Sequence, residues 1–148
     1  MRHAVTHKAQ EKTYNCGPVC LEMLLDFYGI AYDSECLEQL CGTCSIKGTH
    51  NSDLIEAAQS LGANVVAKEG AMIDDIIDTL NRGHPVLVNY FNPLSRVGHF
   101  GIIKGAEDGA LIFADPKNGD NFELPFGEFE GAWHSHDKTI RGWMMHLN

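Results

Sequence analysis

The sequence predicts an α+β fold, in which N-terminal helices pack on an antiparallel sheet. In the first part of the chain, apolar residues recur with the period of an α-helix. In the second part, the pattern changes to short apolar runs bounded by turn residues, which is typical of buried strands. Helices and strands that occupy separate parts of a chain indicate the α+β class. With 148 residues, the chain is long enough for a sizeable core, and we expect one domain over residues 1–148.

The first predicted helix is amphipathic. Apolar side chains lie at positions i, i+3, i+4 and i+7 across residues 21–28, and acidic side chains lie elsewhere on the helical wheel. Pro18 suits the first turn of such a helix, because a residue there has no intrahelical partner for its N–H group. Gly29 provides the C-terminal stop. The helix therefore begins near Pro18 and ends before Gly29.

Three further helices follow along the chain. A short one is expected at residues 34–41, and the next lies in the segment GTHNSDLIEAAQSLG. Asn51 or Ser52 is the expected N-cap of that third helix, because short polar side chains accept hydrogen bonds from free N–H groups. The fourth helix covers residues 73–80, with apolar side chains on one face, and stops at Gly83.

The strand-rich part contains the predicted sheet. Its strands are expected at residues 85–91, 99–104, 110–114 and near 140–147. The dipeptide Asp108-Gly109 is a favourable hairpin turn between the second and third of these strands. Those two strands are therefore expected to pair antiparallel.

Composition narrows the function classes. The net charge is −9, and a nucleic-acid-binding protein needs a basic surface instead, so we expect no nucleic-acid partner. No apolar stretch reaches the roughly 18 to 20 residues that cross a bilayer, so no membrane span is expected. The N-terminal segment lacks the apolar part of a secretory signal, although a signal removed earlier leaves no trace. Together with five cysteines, an odd number, this predicts a reducing, cytoplasmic location.

The segment QEKTYNCGPVCLEMLLDFYG contains the strongest chemical signal. It puts Cys16 at the start of an apolar helix, where free N–H groups and the helix dipole favour a thiolate. Gln10 lies six positions upstream, and its side-chain amide can donate a hydrogen bond to an oxyanion, together with the Cys16 backbone N–H. The segment therefore predicts a nucleophile and its oxyanion donors.

A cysteine nucleophile also needs a base and a group that orients this base. His99 opens a predicted strand, and Asp115 follows the end of the next one. If these strands pair through the Asp108-Gly109 turn, the two side chains lie at the same end of the hairpin. We therefore assign His99 as the base and Asp115 as its orienting carboxylate, with Asp120 as the alternative carboxylate.

Each assignment has a structural alternative. Cys16 and His99 can be buried core residues, Asp115 can cap its own turn, and Gln10 can lie on the surface. Cys20, one turn further along the helix, is expected in the core.

Four segments resemble the bacteriocin-processing, double-glycine leader cysteine peptidases, which have a papain-like fold. They are QEKTYNCGPVCLEMLLDFYG, GTHNSDLIEAAQSLG, GHFGIIKG and ADPKNG, followed by the aromatic segment FGEFEGAW. The resemblance spans nearly the whole chain, and the segments occur in the order that the family shows. It implies a cysteine peptidase that cleaves a peptide or leader peptide through a thioacyl-enzyme, without a cofactor. It also implies Cys16 as nucleophile, His99 as base, Asp115 as orienter and Gln10 as oxyanion donor.

This sequence departs from the typical export-linked members of that family. They tend to have aspartate at the position of Asn15 and alanine at the position of Val19. They are also usually fused to membrane-spanning and ATP-binding domains. The NCGP form is more similar to the stand-alone relatives of the family, which would work beside a separate ABC exporter.

Other functions stay open from the sequence. Papain-like sites also catalyse transfer, deamidation and isopeptide cleavage, and degenerate relatives only bind peptides. A zinc or redox site on Cys36, Cys41, Cys44 and His50 is a further alternative, although a single CxxC pair is a weak signal and we expect no metal. The HxH pair of His134 and His136 is expected to be exposed and without function.

Overall fold

The structure, a computed structural model, describes residues 1–46 and 48–148. The helices in these residues are α1 (Cys16–Tyr28), α2 (Ser34–Leu40), α3 (Asn51–Ser60), α4 (Ile73–Asn81) and α5 (Phe126–Ala132). The strands are β1 (Val65–Lys68), β2 (Val86–Phe91), β3 (Gly98–Glu107), β4 (Ala110–Asp115), β5 (Gly119–Pro125) and β6 (Met144–Leu147). The α+β class and all four predicted helices are confirmed. In this part of the chain, no helix is long and apolar enough to traverse a lipid bilayer.

The six strands form one antiparallel sheet in the order β1-β6-β2-β3-β4-β5. The β3–β4 hairpin turns at Asp108 and Gly109, whose φ angles of 51° and 78° are both positive. Positive φ at both central residues is the requirement of the tightest hairpin turn, and the Asp-Gly dipeptide meets it. The predicted pairing of these strands is therefore confirmed.

Helices cover both faces of the sheet. On one face, α1, α2 and α3 bury their apolar side chains against residues such as Leu87 and Ile102. On the other face, α4 and α5 pack against alternate residues of the same strands, such as Val88 and Ile103. Successive side chains of β2 and β3 point to opposite faces of the sheet, and both faces are covered by helices. The sequences of these strands are therefore almost continuously apolar.

Helix α1 begins at Cys16 and ends where predicted. Gly29 has φ 69° and ψ 27°, and its N–H bonds to the carbonyl of Asp26. This left-handed C-cap is one that glycine adopts without steric cost. The helix thus runs from the predicted nucleophile down through the core.

The predicted cap of α3 is wrong. The helix begins at Asn51, and the residue at the cap position is His50, which makes no side-chain capping bond. The Asn51 side chain instead accepts a hydrogen bond from Nδ2 of Asn89 at 3.0 Å. The Asn51 side chain, which the local pattern assigned to the cap, thus makes a tertiary contact with β2 instead.

Candidate active site

Cys16 is the first residue of α1 and is half-buried. The turn before it is held by Asn15, whose side-chain oxygen accepts the Lys12 N–H at 3.1 Å. On the other side, Gly17 fits closely under Thr49, since a Cβ on Gly17 would lie 2.9 Å from the Thr49 Oγ1 atom. The sulfur is therefore fixed at a helix N-terminus, as the sequence predicts.

His99 and Asp115 form a buried pair. The His99 Nε2 atom lies 2.8 Å from Oδ1 of Asp115, and the side chains are 3% and 0% exposed. His99 is near the start of β3 and Asp115 ends β4, so the hairpin brings them to one end of the sheet. The proposed juxtaposition of base and carboxylate is present in the structure.

Cys16 meets the same imidazole. The Cys16 side chain is close enough to this ring to help raise the pKa of His99. Because Nε2 of His99 is engaged by Asp115, Nδ1 is the ring nitrogen left for the sulfur. The imidazole thus lies between a thiol and a carboxylate.

The electrostatics of His99 favour its charged form. Burial opposes a charge on the ring, but the hydrogen bond with Asp115 and the nearby Cys16 side chain outweigh burial and raise the pKa of His99 to about 9. For Asp115, burial works against ionisation, yet the hydrogen bond and the charge of His99 hold the pKa of Asp115 below its ordinary value. At neutral pH, the pair is therefore an imidazolium and a carboxylate.

Asp115 also organises the turn that follows it. Its Oδ1 atom accepts the backbone N–H groups of Lys117 at 3.0 Å and Asn118 at 2.8 Å. This is the turn-capping role that the sequence left as an alternative, and the carboxylate performs it while it also contacts His99. Asp120, the alternative orienter, instead pairs with Lys104 at 2.6 Å.

Gln10 lies beside this turn. Its backbone N–H bonds to the Pro116 carbonyl at 2.8 Å, and His7 Nε2 lies 2.7 Å from the Asp115 carbonyl. One side-chain hydrogen of Gln10 goes to the Lys12 carbonyl at 2.7 Å, so its Nε2 atom retains a second hydrogen. The N-terminal segment therefore brings Gln10 next to the Asp115–Pro116 peptide.

The remaining sequence candidates have other roles. Cys20 is fully buried in the core, as predicted, and this burial raises the pKa of its thiol well above the ordinary value. The expected exposure of His134 is wrong, because its ring stacks on Phe91 at a centroid distance of 5.4 Å and is buried. Among the described residues, His, Cys, Asp and Glu side chains form no group of three or more that could hold a metal.

The sequence did not predict two residues that contact Asp115 on the side away from Lys117 and Asn118, namely Tyr90 and Gly101. Tyr90 Oη donates to Asp115 Oδ2 at 2.6 Å, and a Cβ on Gly101 would lie 2.8 Å from that same oxygen. Both residues sit in strands that were predicted, but their contacts depend on the register of β2, β3 and β4. Both lie inside apolar strand patterns, which contain no separate signal for these contacts.

The chain is similar in sequence to known proteins. Residues 4–136 match the Peptidase C39 family. Over 110 residues, the chain is 30% identical to the pediocin PA-1 transport/processing ATP-binding protein PedD of Pediococcus acidilactici. That match covers 74% of this chain but only 15% of the relative, so the chain spans a small part of that relative's length.

Solved structures show the same fold. The peptidase domain of Streptococcus ComA, described as a bi-functional ABC transporter involved in a quorum sensing pathway, superposes with a TM-score of 0.79 at 23% identity, covering 98% of each chain. A double glycine motif protease from an AMS/PCAT transporter, solved in complex with its leader peptide, superposes with a TM-score of 0.77 at 20% identity, covering 99% of this chain and 92% of the other. These likenesses confirm the papain-like peptidase fold. The match over residues 4–136 shows that this chain belongs to the Peptidase C39 family.

Proposed function

We propose that this chain is a cysteine peptidase with Cys16 as its nucleophile. One observation supports this most directly: the His99 imidazole lies between the Cys16 sulfur and the buried Asp115 carboxylate. A nucleophile, a base and an orienting acceptor in that order are what acyl transfer through a thioester requires. Membership of a peptidase family supports the same reaction.

In the proposed mechanism, the Cys16 thiolate attacks the carbon of the scissile amide, and a tetrahedral intermediate forms. The His99 imidazolium gives its proton to the leaving nitrogen, and the C–N bond breaks to leave a thioester on Cys16. Neutral His99 then takes a proton from water, which attacks the thioester and releases the acid. Asp115 holds the ring in place throughout and stabilises its charged form.

The oxyanion of each tetrahedral intermediate needs hydrogen-bond donors. The backbone N–H of Cys16, at the start of α1, is one donor. The second is Gln10, whose free Nε2 hydrogen is available because only one is given to Lys12. The backbone hydrogen bond from Gln10 to Pro116 supports this role, because it holds Gln10 next to the turn that contains Asp115.

The proposed substrate is a peptide with a double-glycine leader. Two observations favour it: a relative with this fold was solved with its leader peptide, and the pediocin relative is a transport/processing protein. We propose that the chain releases cargo from its leader in the cytoplasm, in partnership with an ABC exporter.

A peptide-library digest tests the proposal. Cys16→Ala should lower turnover by at least about 10⁴-fold, because a residue of the nucleophile–base unit is lost. The matched control is Cys20→Ala, which removes a thiol one turn along the same helix and should leave kcat within about threefold when the protein is folded. Equal loss in both variants would exclude Cys16 as nucleophile.

The products identify the substrate and the reaction. Mass spectrometry should show cleavage after Gly-Gly with addition of one water. Ammonia loss or ligation would instead show deamidation or transfer, and another cleavage consensus would exclude the leader substrate.

A further inference from the structure

The buried Tyr90 side chain packs directly against the base of the proposed site. Tyr90 lies opposite His99 in the β2–β3 register, and the rings meet edge to face at a centroid distance of 5.6 Å. The aromatic rings of Phe113 and Phe129 close around it at 5.2 and 5.9 Å, and Tyr90 is fully buried. Its hydroxyl is thus held at a fixed point behind the imidazole.

The direction of the Tyr90 hydrogen bond is determined by its second partner. Nδ2 of Asn118 donates to the Tyr90 oxygen at 3.2 Å. Since an amide nitrogen can only donate, the phenolic hydrogen must point to the other neighbour, Asp115 Oδ2, at 2.6 Å. Tyr90 is therefore a donor to the carboxylate.

The two carboxylate oxygens of Asp115 accept hydrogen bonds from different donors. Oδ1 receives bonds from His99 Nε2 and from the backbone N–H groups of Lys117 and Asn118. For Oδ2, Tyr90 is the hydrogen-bond donor among the described residues. The geometry points to Tyr90 as a positioning residue of the proposed peptidase reaction, which orients Asp115 and withdraws charge from it so that His99 can release its proton.

Tyr90 stays protonated while it does this. Burial, together with the negative charge of Asp115, raises the pKa of Tyr90 far above its ordinary value. The titratable groups that act on Tyr90 are Asp115 and Cys20, and those that act on His99 are Asp115 and Cys16. The donor is consequently present across the whole pH range in which His99 titrates.

Removal of the hydroxyl has a specific consequence for His99. In Tyr90→Phe, the negative charge of Asp115 is no longer shared with a donor at Oδ2. The carboxylate then attracts the imidazolium proton more strongly, so the pKa of His99 rises. The imidazolium gives its proton to the leaving amine less readily, and kcat falls.

The experiment compares Tyr90→Phe with Tyr28→Phe in the full chain. Tyr28 is the matched control, since its hydroxyl also makes a 2.6 Å hydrogen bond, to Nδ1 of His84, at the far end of α1. Four quantities are measured: kcat for the peptide, KM for the peptide, the pH dependence of Cys16 alkylation by iodoacetamide, and the His99 imidazole chemical shifts by NMR. We expect Tyr90→Phe to lower kcat about 10- to 100-fold, the range seen for hydrogen-bond partners that orient metal-ligating histidines, with KM within about twofold.

The NMR midpoint of His99 and the alkaline limb of alkylation should both move to higher pH in Tyr90→Phe and stay unchanged in Tyr28→Phe. Midpoints that do not move, or that move to lower pH, overturn the inference, and so does an effect on KM alone. A purely structural role would lower the unfolding temperature without these shifts.

A second variant keeps the test decisive if Tyr90→Phe does not fold. Asn118→Ala keeps the backbone N–H that bonds to Asp115 but removes the side-chain donor to Tyr90. It should therefore raise the NMR midpoint of His99 as well, by less than Tyr90→Phe does. The inference rests on the proposed function, but NMR and alkylation need no substrate. If wild-type protein cleaves no peptide, but Tyr90→Phe still raises the NMR midpoint of His99, the proposed function is refuted. The positioning role of Tyr90 then stands.

Discussion

At the scale of single residues, Gly101 determines how closely the carboxylate can approach the sheet. A Cβ at this position would lie 2.8 Å from Asp115 Oδ2 and 3.1 Å from ring atoms of Phe113 and Tyr90. All three neighbours are buried, so none can move aside into solvent. Glycine is therefore required here for space, with no positive φ involved.

Gly101→Ala should accordingly destabilise the protein by about 1–3 kcal/mol, the usual cost of overpacking a core. It should also lower kcat of peptide cleavage by about 10²-fold, because the displaced carboxylate no longer aligns His99. Urea denaturation and steady-state kinetics measure the two effects.

Gly127→Ala is the matched control, because Gly127 lies in α5 with no atom within 4 Å of the added Cβ. It should be neutral or stabilising by about 0.5–1 kcal/mol. If Gly101→Ala behaves like Gly127→Ala, the steric argument is wrong.

Sequence reasoning could predict Cys16, His99 and Asp115 because each one follows a local signal. Cys16 precedes a helical pattern, His99 opens an apolar run, and Asp115 closes one. The supporting residues Tyr90 and Gly101 carry no such signal. Their roles arise from strand register, which places residues distant in sequence side by side. The Asp108-Gly109 turn sets the β3–β4 register only as far as the shift between Ile103 and Gly105, and no comparable turn signal sets β2 against β3.

At the scale of elements, a stack of aromatic rings joins α1 to the segment after α4 and to β6. The Tyr28 hydroxyl lies 2.6 Å from His84 Nδ1, and the rings of His84 and His146 stack at a centroid distance of 4.9 Å. Burial, with the nearby His146, Arg82 and His3, lowers the pKa of His84. The contacts of His84 with Tyr28 and His146 therefore favour its neutral imidazole.

The sign of the pH effect follows from this depressed pKa. The stability that neutral His84 contributes is fully present above the unfolded pKa of about 6.5 and is lost as pH falls through the lower folded value. The unfolding free energy of wild-type protein should thus fall between pH 7.5 and 5.5 more than that of His84→Gln. The control is His50→Gln at an exposed residue without a capping bond, which should keep the wild-type slope. Equal slopes in all three proteins would contradict the prediction.

The elements that sequence reasoning missed are those with weak patterns. Strand β1 has only four residues and is mostly exposed, and β5 is an edge strand in which Leu124 alone is buried. Helix α5 contains Gly127 and Gly131, which disfavour a helix by propensity. Burial of Phe129 on the face of the sheet that holds Val88 and Ile103 stabilises α5 instead. Tertiary contacts, which a local pattern does not contain, decide these elements.

At the scale of the whole molecule, the site joins one helical layer to the sheet. Cys16 comes from α1, His99 from β3, Asp115 from β4, and Gln10 from the segment before α1. The site is complete only when α1 is docked on the sheet, so the charge state of the site is linked to folding. This linkage predicts how global stability changes at alkaline pH.

The pKa of His99 is raised to about 9 in the folded protein, against about 6.5 for an unfolded histidine. The folded state therefore binds the proton more tightly, and this contribution to stability is complete below about pH 6.5. It is lost as pH rises through about 9. Wild-type protein should lose unfolding free energy between pH 6.5 and 9, measured by urea denaturation at constant ionic strength. His99→Gln, which cannot titrate, should be less stable at pH 6.5 but should show a flatter slope. A variant as steep as wild type would mean that the His99 proton does not stabilise the docked helix and sheet.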